Sequence, residues 1–379
     1  MKRTAPTDQL HAEFFPSRAR RRLTRLFAEA GVEVDGTNPW DVQVHDERFF
    51  GRVIAHGSLG LGESYMDGWW YARDLDGFLY RVVTARLRSR VFTWTDLFAG
   101  LTASLSNLQR PARVFEVGEK HYDIGNELYA AMLDHRMIYS CAYWANAPTL
   151  DAAQEAKLEL VFHKLGLRPG DRVLDVGCGW GGALRFAAEK YGVSGVGVTI
   201  AREQAELARR ACVGLPISIR LQDYRALTAD EPANRFDHIW SIGMFEHVGP
   251  RNYPRYFETL RECLLTGGKF LLHTIGGFES TNRIDPWMNR YIFPNAVLPS
   301  QQQIVAAIDG LFVVDGWQRI RRHYEPTLLA WRDNFERWWA REGRRDERFR
   351  RMWMFYLSGC AAVFRSGQMD VWQVLLTPR

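Results

Sequence analysis

The stretch GMFEHVG, Gly243 to Gly249, follows the apolar run FDHIWSI. An acid and an imidazole, Glu246 and His247, therefore stand where a buried strand meets a ligand pocket. A second group of this kind is VLDVGCGWGG, in which Asp175-Val176-Gly177 ends one strand. Gly177, Gly179 and Gly181, with Cys178 between the first two, then open a helix, and glycine lets the backbone turn tightly and come close to a ligand. In a dinucleotide fold this spacing holds a pyrophosphate. An aspartate just before the first glycine suits a cationic amino acid better. A ribose-binding acid normally ends strand two, but GVGVTIAREQ puts Thr199 there, with Gln204 a turn later. The ribose must then be held by a hydroxyl and an amide. Asp223, next to Gln222 in LQDY, is placed to reach an adenine amino group.

Positioning these groups requires a sheet. RVLDVG, VSGVGVTI, ISIRLQDY, FDHIWSIGMF and KFLLHTI read as successive strands, separated by helical stretches such as ALRFAAEKY, AREQAELARRAC and YPRYFETLRECL. Strand alternating with helix predicts an α/β fold with a parallel sheet covered on both faces. LFVVDGWQRI and VWQVLLT add strands around a long aromatic-rich helical region. The first hundred residues mix short helices with turn-rich segments such as HGSLGLGESYMDGWW. A boundary near SNLQRPARVF divides a smaller, mostly helical N-terminal domain, residues 1–108, from the α/β domain, residues 109–379.

The chain has 379 residues, 46% hydrophobic and 25% charged, an ordinary globular balance with room for two domains. Its cysteines, Cys141, Cys178, Cys212, Cys263 and Cys360, form no CxxC pair and no metal-type spacing, which points to reduced thiols in a cytosol-like compartment. No run approaches the roughly 20 apolar residues of a spanning helix, so a soluble or peripheral protein is expected. The net charge of +5 is unevenly placed. Arg18, Arg20, Arg21, Arg22 and Arg25 form one cluster; Arg81, Arg86, Arg88 and Arg90 a second; Arg341, Arg344, Arg345, Arg348, Arg350 and Arg351 a third. Each lies on an expected amphipathic helix, which is either a solvated basic face or a surface for anionic lipid. No nucleic-acid motif accompanies the charge.

The glycine loop with Asp175 resembles the S-adenosylmethionine loop of the Rossmann-like class I methyltransferases. GSLGLGESYMDGWW, HYDIGNELY, YSCAYW, GVTIAREQ, LQDYR, GMFEHVGPRNY, LLHTIG, DPWMNRYIFPN and YLSGCAAVFR, in this order, resemble the cyclopropane-fatty-acyl-phospholipid synthase family from about Phe49 to the C-terminus. The resemblance implies a reaction: a cis double bond of a phospholipid acyl chain takes the methyl of S-adenosylmethionine, and loss of one proton closes a cyclopropane ring. It also implies a bound bicarbonate as the base, cradled by Glu246, His273 in LLHTIG, Tyr324 in RRHYEPTLLAW and the backbone amides of Cys141 and Ile275. Such a base sits in an apolar site that excludes water. Cofactor contacts are implied for Tyr139, Ser140, the glycine loop, Thr199, Gln204, Gln222 and Asp223. Cys360 matches a position once favoured as a nucleophile, but the chemistry needs no thiolate and a cysteine among small apolar residues is more often core. A homodimer on the inner face of a membrane is implied as well.

Other readings remain open. The same cation can end as a methyl or methylene branch. A dinucleotide-dependent oxidoreductase lacks its acid after strand two. A non-catalytic lipid binder has no need of three polar groups in an apolar pocket. His121, Tyr122 and Asp123 are expected in a lid segment, with Asp123 and Asn126 fixing its turns. Trp331, Phe335, Trp338 and Trp339 form one helical stripe, either core or in part an acyl-tunnel wall. GESYMDGWW is expected at an interface with the catalytic domain or the membrane.

Overall fold

A computed structural model of the chain describes residues 8–87, 125–227, 235–343 and 346–379. The expected domain boundary, the lid residues His121, Tyr122 and Asp123, and Arg88, Arg90, Arg344 and Arg345 lie outside the described residues.

The expected strands all form, as β3 (Arg172–Val176), β4 (Ser194–Thr199), β5 (Ile217–Leu221), β6 (Phe236–Ile242), β7 (Leu264–Gly277), β8 (Phe312–Arg319) and β9 (Met369–Pro378). They make one sheet in the order β5-β4-β3-β6-β7-β9-β8. The pairs β5-β4, β4-β3, β3-β6 and β6-β7 are parallel, and β9 runs antiparallel to both β7 and β8. The sheet is thus mixed at one side. The order reverses direction at β3, so the loops after β3 and β6 open a crevice at the carboxyl ends of the strands. Asp175 and Glu246 come from those two strand ends.

Helices cover both faces. α5 (Leu150–Leu165), α6 (Gly182–Tyr191) and α7 (Arg202–Ala211) pack on one face through Leu158, Phe162, Leu184, Ala205 and Ala208. α8 (Tyr253–Cys263) and α10 (Gln301–Ile308) cover the other through Tyr256, Phe257, Leu260 and Ile304. Thr149 caps α5 by accepting from the Ala152 amide, and Ser300 with Gln303 forms a reciprocal capping box on α10.

The N-terminal elements are α1 (Asp8–Glu29), α2 (Arg48–Met66), α3 (Leu75–Thr84) and a two-residue ribbon of β1 (Gln43–Val44) with β2 (Trp70–Tyr71). Their core is not separate. Leu23, Phe27, Phe49, Trp70 and Phe78 belong to one buried cluster with Trp331, Phe335, Trp353 and Leu357 of α11 (Tyr324–Glu342) and α12 (Glu347–Ser366). The Trp331, Phe335, Trp338 and Trp339 stripe is therefore core, and none of the four lines the cavity described below.

HGSLGLGESYM is helical rather than turn-rich. Only Gly57 departs, at φ 54° and ψ −127°, and kinks α2. The other glycines serve close packing. A Cβ on Gly62 would lie 2.4 Å from the Trp287 ring, and one on Gly60 would lie 2.3 Å from the Arg52 carbonyl. Composition suggested turns because glycine is a poor helix former; tertiary contact overrode it.

Candidate active site

A cavity of about 1590 Å³ opens at the carboxyl ends of β3, β4 and β6. Glu246, His273, Tyr324, Cys141, Ile275 and Cys360 all line it, as do Tyr139, Ser140, Asp175, Gly177, Cys178, Gly179, Thr199, Gln204, Gln222 and Asp223. Gly181 does not. It starts α6 at φ 81°, and a Cβ there would lie 3.2 Å from Ala208 and 3.3 Å from the Cys212 sulfur, so its role is packing of α6 on α7. Gly177, at φ 87°, has Met244 where a Cβ would go, 2.5 Å away. Any side chain there would push apart the loops after β3 and β6.

Glu246 sits on the short turn Phe245–His247 after β6. It is buried. Its Oε1 accepts from the Ile275 amide at 2.6 Å, and its buried Oε2 has no hydrogen-bond partner within normal distance among the described residues. Burial raises its carboxyl to about 7, against the Ile275 amide bond and the weaker influence of its own amide and the Thr274 hydroxyl, which favour the ionised form. The Ile275 amide is thereby engaged by Glu246 itself. The Cys141 amide, by contrast, donates to nothing among the described residues.

His273 is one strand over on β7 and buried, with Nδ1 3.3 Å from Gln373 Nε2. Burial, reinforced by the ammonium groups of Lys157 and Lys164, holds its imidazole well below the ordinary value, so the ring is neutral. Tyr324 begins α11 and packs on Phe364. Burial holds its phenol well above the ordinary value. His247 also faces the cavity, its ring 6.0 Å from that of Phe293, and burial lowers it to about 4. Burial pushes the Cys360 thiol up to about 12 and that of Cys141 higher still, which disfavours the thiolate of either near neutral pH. All five cysteines are free.

At the glycine loop, burial raises Asp175 to about 7. A carboxylate held in this unfavourable state gains from a cationic partner, so the donor set fits the amino-acid end of S-adenosylmethionine. Thr199 donates to Gln204 Oε1 at 3.1 Å, and the Gln222 amide donates to the Thr199 carbonyl at 2.9 Å. The Thr199 hydroxyl and the Gln204 amide, expected to stand in for a ribose acid, thus bond each other at the cavity wall. Asp223 is paired with Arg225 at 2.5 Å, which orients its carboxylate at the cavity edge. Tyr139 shares a hydroxyl–hydroxyl bond of 2.8 Å with Tyr356. Asn126 accepts from Trp180 of the glycine loop at 2.9 Å and donates to Glu203 at 3.1 Å, tying its own helix, α4 (Asn126–Met132), to both.

Sequence reasoning missed Lys157. It is fully buried on α5, donates to Ser140 Oγ at 2.9 Å, and lines the cavity. Burial lowers its ammonium to about 8, against the carboxylates of Asp134 and Asp175. The signal was present: Gln154, Lys157, Leu158, Val161 and Leu165 share the buried stripe of α5, and a lysine inside an apolar stripe needs a polar partner. Tyr356 had no such signal.

The family model for mycolic acid cyclopropane synthetase matches residues 109–374. The chain belongs to that family. This mycolic acid cyclopropane synthetase family member is 46% identical over 361 residues to the cyclopropane-fatty-acyl-phospholipid synthase of Escherichia coli K12, covering 94% of this chain and 93% of the relative. It is 35% identical over 351 residues to a tuberculostearic acid methyltransferase of Mycobacterium tuberculosis, covering 85% and 79%. Among solved structures, mycolic acid cyclopropane synthase CmaA1 complexed with SAH and CTAB superposes with a TM-score of 0.63 at 33% identity, over 70% of this chain and 98% of that one. The fold is that of the S-adenosylmethionine-dependent methyltransferases.

The GESYMDGWW segment meets α9 (Pro286–Tyr291) and α12. Glu63, buried, pairs with Arg52 at 2.6 Å and Arg290 at 3.0 Å, and accepts from Tyr291 Oη at 2.9 Å. Arg348 and Arg52 both reach Asp67, and Arg351 donates to the Tyr65 carbonyl at 3.0 Å. Of the third expected arginine cluster, Arg348, Arg350 and Arg351 are ion-paired: Arg350 binds Glu336 and Glu347, each at 2.8 Å, and Arg351 lies 3.4 Å from Glu347. Arg20 pairs with Asp35 and Glu47, while Arg21 and Arg25 are exposed. No described helix is long and apolar enough to cross a membrane.

Proposed function

We propose that the protein is a cyclopropane-fatty-acyl-phospholipid synthase acting on unsaturated phospholipid at a membrane surface. One observation carries the reading: Glu246 Oε2, without a partner among the described residues, is buried in the cavity that His273 and Tyr324 also line. Relatedness to the E. coli synthase over nearly the whole chain supports it. S-adenosylmethionine, when bound, supplies an electrophilic methyl. Asp175 and the backbone of Gly177, Cys178 and Gly179 hold its amino-acid end, with Tyr139, Ser140, Thr199, Gln204, Gln222 and Asp223 around the rest. The alkene forms a bond to the methyl carbon as the sulfur–methyl bond breaks. Positive charge is left on the acyl chain, and ring closure then needs the loss of one proton from the former methyl.

Bicarbonate fits as the base. Glu246 Oε2 would accept from the hydroxyl of a bound bicarbonate, and His273, Tyr324 and the Cys141 amide would donate to its oxygens. The Ile275 amide acts indirectly, by orienting Glu246. The apolar walls keep out water, which would otherwise capture the cation. Leu23, Phe27, Val53 and Leu79 of the N-terminal helices line the same cavity, so we assign these helices, the described part of the expected 1–108 unit, to enclosing the acyl chain and docking to the lipid surface. Localisation on the cytoplasmic face and a homodimer complete the proposal.

Product analysis tests it. The protein is incubated with S-adenosylmethionine and vesicles of a cis-unsaturated phospholipid, and the fatty acids are examined by mass spectrometry. A saturated ring one CH2 heavier than the starting acid is expected. The same mass with a retained double bond would instead assign a methylene-branching methyltransferase.

A further inference from the structure

His273 and Gln373 stand directly opposite each other in the antiparallel β7-β9 register, and both are buried. Gln373 Nε2 lies 3.3 Å from His273 Nδ1, while Gln373 Oε1 lies 2.6 Å from Lys164 Nζ, at the C-terminal end of α5. An ammonium has donors only, so it fixes which end of the amide is oxygen. The amide NH2 must then face the ring, and Nδ1 must accept. We infer that Lys164 and Gln373 are positioning residues that lock His273 as the Nε2–H tautomer, making its cavity-facing nitrogen an obligatory donor to an anion.

The other groups around the ring agree. Lys157 stands seven residues before Lys164, two turns along the same face of α5, and the two ammonium groups act together against a charged imidazole. Glu246 comes from the turn after β6, whose Ile242 pairs with His273. His273 Nε2 has no protein partner among the described residues. A ring with Nδ1–H would set two donors against each other at Gln373 and leave a bare lone pair toward the anion. Lys164, remote from the reacting atoms, thus acts through two hydrogen bonds on the polarity of the site. The inference deepens the bicarbonate reading and rests on it for its catalytic meaning, though not for the tautomer.

The test uses the full-length protein labelled with 15N at histidine. Long-range proton–nitrogen correlations distinguish a protonated from a bare ring nitrogen, and His273 is assigned by the signals lost in His273→Gln. The unmodified protein is expected to show Nε2–H with bare Nδ1 throughout the neutral range. In Gln373→Glu a carboxylate faces Nδ1, and the proton is expected to move there. The bicarbonate concentration for half-maximal turnover should then rise roughly 10- to 100-fold, the loss of one charge-assisted bond, with S-adenosylmethionine affinity unchanged. Lys164→Met, at a partly exposed position, should give a mixture of tautomers, and it decides the matter if Gln373→Glu fails to fold. An Nδ1–H tautomer in the unmodified protein, or an unchanged tautomer in both variants, overturns the inference. Turnover indifferent to bicarbonate, with the tautomer present and switching as expected, removes the bicarbonate reading and supports the relay.

Discussion

The Glu246 carboxylate accepts a hydrogen bond from the Ile275 amide at 2.6 Å, across the ends of two adjacent strands, and its second, buried oxygen is left without a partner among the described residues. That bond fixes the carboxylate rotamer, so the bare oxygen has a defined direction. Glu246→Gln keeps an acceptor for Ile275 but puts an amide NH2 where a hydrogen-bond acceptor is needed. Turnover is expected to fall by roughly 100- to 10,000-fold, the usual range for loss of acid–base function. Calorimetric affinity for S-adenosylmethionine should change less than about threefold, since Glu246 is not among the cofactor contacts. An unimpaired rate would exclude the proposed site.

The same residue makes stability depend on pH. Its folded pKa of about 7 lies above the ordinary 4.5. Between these values the folded state binds more protons than the unfolded one, so stability falls as pH rises through this window and levels off above about 7. Glu246→Gln removes that loss. The variant should match the parent near pH 4 and be more stable near pH 8, by ~3 kcal/mol at most. Thermal melts at the two pH values check the crossover. The activity of the parent should rise with ionisation near pH 7, with Asp175 titrating in the same range.

Cys360→Ser should retain turnover within about threefold. The thiol is raised to about 12, so almost no thiolate exists at neutral pH for the substitution to remove. A loss of 100-fold or more in a folded variant would restore a chemical role for the sulfur.

Gly62→Ala probes the docking of the N-terminal helices. The added methyl would meet the Trp287 indole at 2.4 Å, and Trp287 is fully buried. Overpacking of this kind costs ~1–3 kcal/mol, visible as a lower melting temperature. Because the N-terminal helices also wall the cavity, acyl-substrate KM should rise while S-adenosylmethionine affinity holds.

The exposed pair on α1 tests surface binding. Arg21→Glu with Arg25→Glu should weaken binding to anionic vesicles, and binding of the parent should fall with added salt, since exposed charges are screened within about 10 Å at 0.1 M. Arg350→Glu should instead lower stability, because Arg350 is tied to Glu336 and Glu347. Equal binding of parent and double variant in a vesicle sedimentation assay would refute the role of α1.

The strands and the main helices of the α/β part were legible because their apolar residues recur with the period of each element and glycine marks the turns. The residues of the glycine loop and of the strand ends were legible for the same reason: chain position alone puts Asp175 and Glu246 on one edge of a sheet. The helical state of the GSLGLGESYM segment was not, since its glycines answer to Trp287 and the Arg52 carbonyl, which are distant or on a neighbouring turn. Gly181 likewise looked like its loop neighbours, yet it packs against α7.

The sequence by itself determined the strands, the identity of the groups at their carboxyl ends and the family; the antiparallel β9 that makes the sheet mixed came from the tertiary structure. The tertiary structure alone decided which arginines are already paired, that the Trp331 to Trp339 stripe is core, and that the N-terminal helices share that core. It also decided the state of each polar group. A carboxylate at about 7, a neutral imidazole and a lysine with no exposed surface are consequences of burial and of partners far away in the chain. Residue type fixes what a side chain can donate or accept; only its surroundings fix which of those it does.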